Sequence, residues 1–181
     1  MSDTLEESGL PADAPAYARL FLALWPGADE HAALVRYLEQ WSWPGGASPV
    51  RHERLHLTLH FIGPLDRQRL DAVGAALEVP VEPFDLPLTR SEIWPRGLVV
   101  LRAAQPPAQL LRLHARLARA LQAIDLPLER RRFRPHVTLA RRAATVLPPP
   151  DMPPLSWRID GYALVESLPG SGGYPIRRRY G

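Results

Sequence analysis

Apolar and polar positions follow two different periods along this chain, and the switches between them divide it into elements. Residues 17–25 (YARLFLALW) form a nearly continuous apolar run of strand length, which Pro26-Gly27 ends. Leu34, Tyr37, Leu38 and Trp41 then recur at i, i+3, i+4 and i+7, the stripe of an amphipathic helix that Asp29 is placed to cap. Trp43-Pro44-Gly45-Gly46 breaks that helix, and a short extended piece, residues 49–51, leads into period-two alternation over residues 55–62, closed by Gly63-Pro64. Leu70, Val73 and Leu77 mark a second helix with Asp66 as its cap. Beyond a Pro-rich connector at 80–87, strands are expected over 84–93 and 98–102, joined by the turn Trp94-Pro95-Arg96-Gly97. Pro106-Pro107 opens the strongest helical pattern, carried by Leu110, Leu113, Leu117, Leu121 and Ile124. Alternation returns over 136–140, a Pro-rich loop covers 147–154, and 157–168 and 174–180 read as closing strands. Residues 1 to about 15 mix Ser, Asp, Glu, Gly and Pro and read as a disordered leader, leaving 16–181 as one domain.

The two alternating stretches carry the same four-residue pattern, His56-Leu57-Thr58-Leu59 and, about eighty residues later, His136-Val137-Thr138-Leu139. Side chains of a strand point alternately to its two faces, so each His shares a face with its Thr, about 7 Å apart, while Leu57/Leu59 and Val137/Leu139 turn to the core. A single H-x-T-L would be unremarkable on any amphipathic strand. Two copies, each on independently predicted strands, suggest that the strands lie side by side and gather two imidazoles and two hydroxyls around one small anion site. Each half of the chain then offers strands, a helix and one such motif, an internal pseudo-repeat.

Composition narrows the chemistry. The 181 residues contain no Cys, which removes disulfides, thiolate nucleophiles and Cys-ligated zinc. All 22 basic side chains are Arg, so Schiff-base and P-loop chemistry, which use Lys, are also removed. The net charge of +3 leans toward polyanionic partners such as RNA. No run approaches the roughly 18 apolar residues of a membrane span, and the acidic start lacks a signal peptide's basic and apolar regions, so the cytoplasm is the default expectation.

At these residues the chain resembles the two-histidine (2H) phosphoesterase superfamily, and within it the RNA 2′,3′-cyclic phosphodiesterases formerly called 2′-5′ RNA ligases. The resemblance spans residues 17–181. It rests on an R-x-F-x-A-L opening (Arg19 to Leu24), His56-Leu57-Thr58-Leu59 with Phe61-Ile62-Gly63, and Arg132-Phe133-Arg134-Pro135-His136-Val137-Thr138-Leu139-Ala140-Arg141. The closing L-x-E-S (Leu164 to Ser167) and Tyr174 complete it. One departure is Arg54, which stands where relatives carry the Asn of E-N-L-H. The resemblance implies an α+β, bilobal, pseudo-twofold fold in which two antiparallel sheets line a central cleft with helices outside. It also implies opening of a 2′,3′-cyclic phosphate at an RNA end to a 2′-phosphomonoester, without metal or cofactor, by a monomer. His136 would be the proton acceptor and His56 the proton donor.

The residue types suit that reaction. Imidazole takes or gives a proton near neutral pH. Thr58 and Thr138 can donate hydrogen bonds to nonbridging oxygens, and Arg141 adds fixed positive charge. Arg54, His60, Arg132, Phe133, Arg134 and Tyr174 are the candidate rim or base contacts, and Trp94 is a further ring that could stack on a base. His52, His56 and His60 would gather as metal ligands on a helix, but on a strand His60 lies about 13 Å from His56, so no metal site is expected. His52 is assigned to the surface or cleft rim, and His31 and His114 to helix surfaces. Other readings within reach of the same motifs are hydrolysis of a smaller cyclic phosphate or a 2′-5′ oligonucleotide, and a non-catalytic module that binds RNA ends.

Overall fold

The computed structural model describes residues 16–150, 152–170 and 172–181, so the leader expected over residues 1–15 lies outside them. In chain order the elements are β1 (Tyr17–Leu24), α1 (Ala28–Glu39), the two-residue β2 (Ser48–Pro49), β3 (Leu57–Asp66), α2 (Leu70–Ala76), β4 (Phe84–Leu88), β5 (Arg90–Trp94), β6 (Leu98–Arg102), α3 (Ala108–Ala123), β7 (Val137–Arg141), β8 (Leu155–Ile159), β9 (Tyr162–Glu166) and β10 (Ile176–Tyr180). The class is α+β, as expected.

Among the described residues the strands pair antiparallel in the order β10-β9-β1-β3-β7-β6-β5, with β2 alongside β7, and β4 and β8 form a separate pair. β1 and β3 pair along their whole length, from Tyr17↔Asp66 to Leu24↔Leu57 with two register shifts on the way, whereas β3 and β7 meet at one registered pair, Leu57↔Val137. The two expected sheets are therefore the halves of one sheet, β10-β9-β1-β3 and β7-β6-β5 with β2, hinged at a narrow seam.

One face of both halves is covered by helices. Leu20, Leu22, Leu24, Leu57, Leu59, Val99, Leu101, Val137 and Leu139 pack there with Leu34 and Leu38 of α1 and with Leu110, Leu113, Leu117 and Leu121 of α3. The spacings that predicted those helices are thus the spacings that bury them, at roughly 1.5–3 kcal/mol per large apolar side chain. The other face, here called the cleft face, carries a small apolar cluster of Phe21, Ala23, Ala163 and Val165 against Trp25, Tyr174 and Ile176.

Four local expectations change. The strand expected over 84–93 divides at Thr89 into β4 and β5, which belong to different sheets. The strand expected over 157–168 divides likewise at Asp160-Gly161, where a Cβ on Gly161 would stand 2.2 Å from the Tyr180 carbonyl oxygen. Only glycine fits that crossing. Gly63-Pro64 does not end β3, which runs on to Asp66. Gly63 has φ +84° beside a register shift against β1, and this end of β3 has β1 on one side and no described strand on the other, so the missing N–H of Pro64 costs no ladder bond. The cap of α1 is Gly27, and Asp29 lies with Glu30 in the first turn, where negative charge meets the helix dipole. Asp66 does cap the turn into α2, accepting from the Gln68 N–H at 2.9 Å.

Burial lowers the pKa of four histidines, His56 and His114 to about 4 and His60 and His136 in the same direction. An unfolded chain binds these protons near pH 6.5, so between that value and about 4 it holds more protons than the folded chain. The stabilisation is complete above pH 6.5 and is lost as the pH falls. Denaturant midpoints measured across pH 8 to 4 are expected to be level down to about 6.5 and then to decline steadily. A level midpoint down to pH 4 would mean that these imidazoles titrate freely in the folded protein.

Candidate active site

The two motif strands repeat each other residue by residue. Leu57, Thr58, Leu59, His60 and Phe61 run buried, half-buried, buried, buried, exposed, and Val137, Thr138, Leu139, Ala140 and Arg141 run the same way. Directly opposed residues of an antiparallel pair share a face, so Leu57 and Val137 both enter the core. His56, Thr58, His136 and Thr138 accordingly take the cleft face. Continuing that register sets His56 beside Thr138 and Thr58 beside His136.

Each strand then bulges one residue beyond its Thr. β1 pairs Ala23↔Thr58 and Leu22↔His60, skipping Leu59; β6 pairs Val100↔Thr138 and Val99↔Ala140, skipping Leu139. An extra residue reverses the alternation. His60 and Ala140 turn into the core, while Phe61 and Arg141 return to the cleft face. Strict alternation from His136 would have sent Arg141 away from the site.

Both imidazoles are held in the same way. His56 Nδ1 lies 2.6 Å from the Arg54 carbonyl oxygen and His136 Nδ1 lies 2.6 Å from that of Arg134. A carbonyl only accepts, so Nδ1 carries the proton and Nε2 is left for chemistry. The Thr58 hydroxyl stands 3.1 Å from His56 Nε2 and donates to it when the ring is neutral. Around His56 lie Trp25, stacked at 5.4 Å, Phe21 at 5.1 Å, and Tyr174, edge-on at 5.5 Å, with the Arg54 guanidinium 4.9 Å above Tyr174. Trp94 lies 4.7 Å from His136, and the Arg134 guanidinium sits 3.9 Å above Trp94. Each half thus repeats the order arginine, aromatic ring, histidine. Glu92 accepts from Trp94 Nε1 at 2.8 Å and from Arg102 at 2.6 Å.

Burial is the main reason both site histidines resist protonation. The carbonyl bonds oppose it, and the positive charge of Arg141 reinforces it at both rings. At neutral pH two neutral imidazoles therefore stand beside a fixed cation. Such an arrangement favours an anion. Arg54 adds to the bias, because its Nε and Nη2 are buried with no hydrogen-bond partner in the protein.

Of the residues singled out in the sequence, the fold gathers His56, Thr58, His136, Thr138 and Arg141 on one face, with Arg54, Arg134 and Tyr174 against them. His60 is not at the rim. It is 5% exposed, and its Nε2–H donates to the His114 carbonyl at 2.9 Å, because the Leu59 bulge turned it inward. Phe133 also faces the core, stacked 3.8 Å from His114, which is itself half-buried rather than a surface residue. Arg132 is exposed in the segment before β7. His52 is exposed with its Nε2 3.9 Å from Glu39, so the series His52, His56, His60 never converges. Among the described residues no three His, Asp or Glu side chains stand as a metal-binding group. Sequence reasoning did not assign Phe21, Trp25 or Glu92 to the site, nor Phe61, which it quoted only as part of the first motif and which is 56% exposed on the cleft face. The last requires the bulge to be known.

Paired H-x-T strands at the seam of a two-halved antiparallel sheet define a class, and the comparisons agree with it. The profile of the 2′-5′ RNA ligase superfamily matches residues 28–170, and the chain belongs to that superfamily. It is 34% identical over 164 residues to the RNA 2′,3′-cyclic phosphodiesterase of Thermus thermophilus, covering 82% of this chain and 81% of the relative. It is 32% identical over 152 residues to the enzyme of the same name from Escherichia coli, covering 82% and 83%. Among solved structures, E. coli LigT in complex with 3′-AMP superposes with a TM-score of 0.77 at 26% identity over 90% of this chain and 97% of that one. TT0787 of T. thermophilus superposes with a TM-score of 0.69 at 30% identity over 89% and 96%. The resemblance drawn from the motifs is borne out.

Imidazole NMR tests the electrostatics directly. In the free protein His56 is expected as the Nδ1–H tautomer with a midpoint about 4, and inorganic phosphate should raise it, since an anion favours the charged ring. A midpoint near 6.5 that ignores phosphate would mean that the ring is open to water and that no anion binds beside it.

Proposed function

We propose that this protein is a metal-independent RNA 2′,3′-cyclic phosphodiesterase, acting as a monomer in the cytoplasm and leaving a 2′-phosphomonoester. The observation that carries this reading is the quartet His56, Thr58, His136 and Thr138 around the one pair Leu57↔Val137, with each Nδ1 engaged by a backbone carbonyl. The relatives named for this activity, and the capture of 3′-AMP and phosphate by LigT, support the substrate class.

In this reading the cyclic phosphate lies between the two Nε2 atoms, with its nonbridging oxygens toward Thr58, Thr138 and Arg141. His136 Nε2 takes a proton from water as the water oxygen bonds to phosphorus. On the opposite side the P–O3′ bond breaks, and O3′ takes the proton of His56 Nε2. The phosphate stays on O2′, and the 3′ hydroxyl is free. Burial keeps His56 neutral in the free protein, so its acid proton arrives with the substrate, whose negative charge favours the imidazolium. Phe61, Tyr174 and the Arg134-covered Trp94 are the rings available to a ribose or base. Two imidazoles and Arg141 supply proton transfer and charge without a Lewis acid.

RNA ending in a 2′,3′-cyclic phosphate, incubated with the protein in excess EDTA, is expected to yield 2′-monophosphate ends. Hydrolysis that stops with chelator and returns with one divalent ion would defeat the metal-independent mechanism. A 3′-phosphate product would mean that the ribose sits reversed between the histidines. Cleavage of only a small cyclic phosphate would move the reading to that substrate.

His56→Ala and His136→Ala should each lower turnover by about a hundredfold or more, with the fold kept, because both rings project onto the cleft face. Turnover and circular dichroism on each variant decide this. A folded variant with full activity removes that histidine from the mechanism.

A further inference from the structure

We propose that His60, His114 and Phe133 are positioning residues: a three-ring stack on the core face that ties the strand of His56 to the segment of His136 and so sets how the two imidazoles face each other. The inference rests on the proposed activity only for its kinetic readout.

The need for such a tie follows from the pairing. β3 and β7 share one registered pair, so sheet hydrogen bonding alone leaves the two halves free to twist about Leu57↔Val137. On the far side of the sheet, the rings of His60 and His114 lie 3.9 Å apart at 19°, and those of His114 and Phe133 lie 3.8 Å apart at 14°. These are near-parallel rings in van der Waals contact. The stack begins on β3, passes through the middle of α3, and ends in the segment that enters β7.

Its ends are close to the chemistry in sequence. His60 follows His56 on the same strand. Phe133 precedes Arg134, whose carbonyl holds His136 Nδ1 at 2.6 Å. The segment alternates, with Phe133 and Pro135 toward the core and Arg134 and His136 toward the cleft. Displacing the Phe133 ring therefore rotates the carbonyl that orients His136. At the other end, His60 is fixed twice, by the stack and by its Nε2–H bond to the His114 carbonyl at 2.9 Å.

Flat rings define a separation and an orientation, whereas branched aliphatic side chains would slide past one another. A buried and a half-buried imidazole are a costly way to fill a core, and desolvation keeps both neutral, so they stack without repulsion. The pseudo-repeat gives no second copy of the device, since the residue equivalent to His60 is Ala140, too small to reach a helix. The His56 half is anchored to α3, and the His136 half is registered against it.

The test compares His114→Ala, which removes the middle ring, with His114→Phe, which keeps a flat one, using cyclic-phosphate-ended RNA. His114→Ala is expected to lower kcat by on the order of ten- to a hundredfold with little change in KM, since a small displacement of a proton-transfer group costs that much. His114→Phe should restore most of kcat. In parallel, the response of the His136 NMR signals to inorganic phosphate should be altered in His114→Ala and restored in His114→Phe. If His114→Ala does not fold, Phe133→Leu breaks the same link and should show the same kcat loss. Wild-type kcat in a folded His114→Ala or Phe133→Leu would overturn the proposal, as would a loss that His114→Phe fails to restore. A wild-type protein inactive on this RNA would count against the proposed function instead, and the His136 NMR comparison would still decide the role of the stack.

Discussion

The rest of the structure depends on the meeting of β3 and β7 at Leu57↔Val137. Both side chains are fully buried, so the pair is anchored in the core at the one point where the two halves of the sheet join. Alternation on either side of that anchor brings four polar side chains to the opposite face. Longer pairing would have drawn the halves into a flatter sheet, and none would have left the two histidines unrelated in space. A single buried pair relates them and leaves room between the halves.

Around that anchor the chain repeats itself closely and then departs from the repeat. Bulges at Leu59 and Leu139, carbonyl-held imidazoles, and arginine over an aromatic ring occur in both halves. The departures are chemical. Phe61 occupies in one half the place that Arg141 occupies in the other, so one side of the site offers a bare ring and the other a fixed cation. His56 lies among Trp25, Phe21 and Tyr174, while His136 has Trp94 and Arg134. A substrate with an anionic end and an aromatic end is not equivalent in its two orientations there.

The electrostatics follow from the same packing. Aromatic rings around His56 exclude water, and that exclusion rather than any single charge is what holds the ring neutral. Neutral imidazoles stand there beside Arg141 and an underpaired Arg54, a positive bias that suits an anion. Several arginines elsewhere are matched by carboxylates. Arg67 and Arg177 flank the buried Glu166, and Arg112 and Arg116 share Glu82 at 2.6 and 2.7 Å.

The sequence by itself determined the helices, the two motif strands and the pairing of each His with its Thr, because hydrophobic period and i, i+2 geometry are local properties, and the α+β class came with the family resemblance that those motifs carry. It did not reach the breaks at Thr89 and Asp160-Gly161, where one apolar run serves two sheets, since which sheet a strand joins depends on partners distant in the chain. Nor did it separate His60 and Phe133 from the site or bring Phe61 into it. The places of His60 and Phe61 turn on one extra residue in β3, and a bulge is a property of the pairing between strands, set where β1 packs against β3. Phe133 lies before the β7 bulge and faces the core by the alternation of its own segment, where its contact with His114 on α3 is a tertiary one. The tertiary structure alone decided which side chains face the cleft and which face the helices.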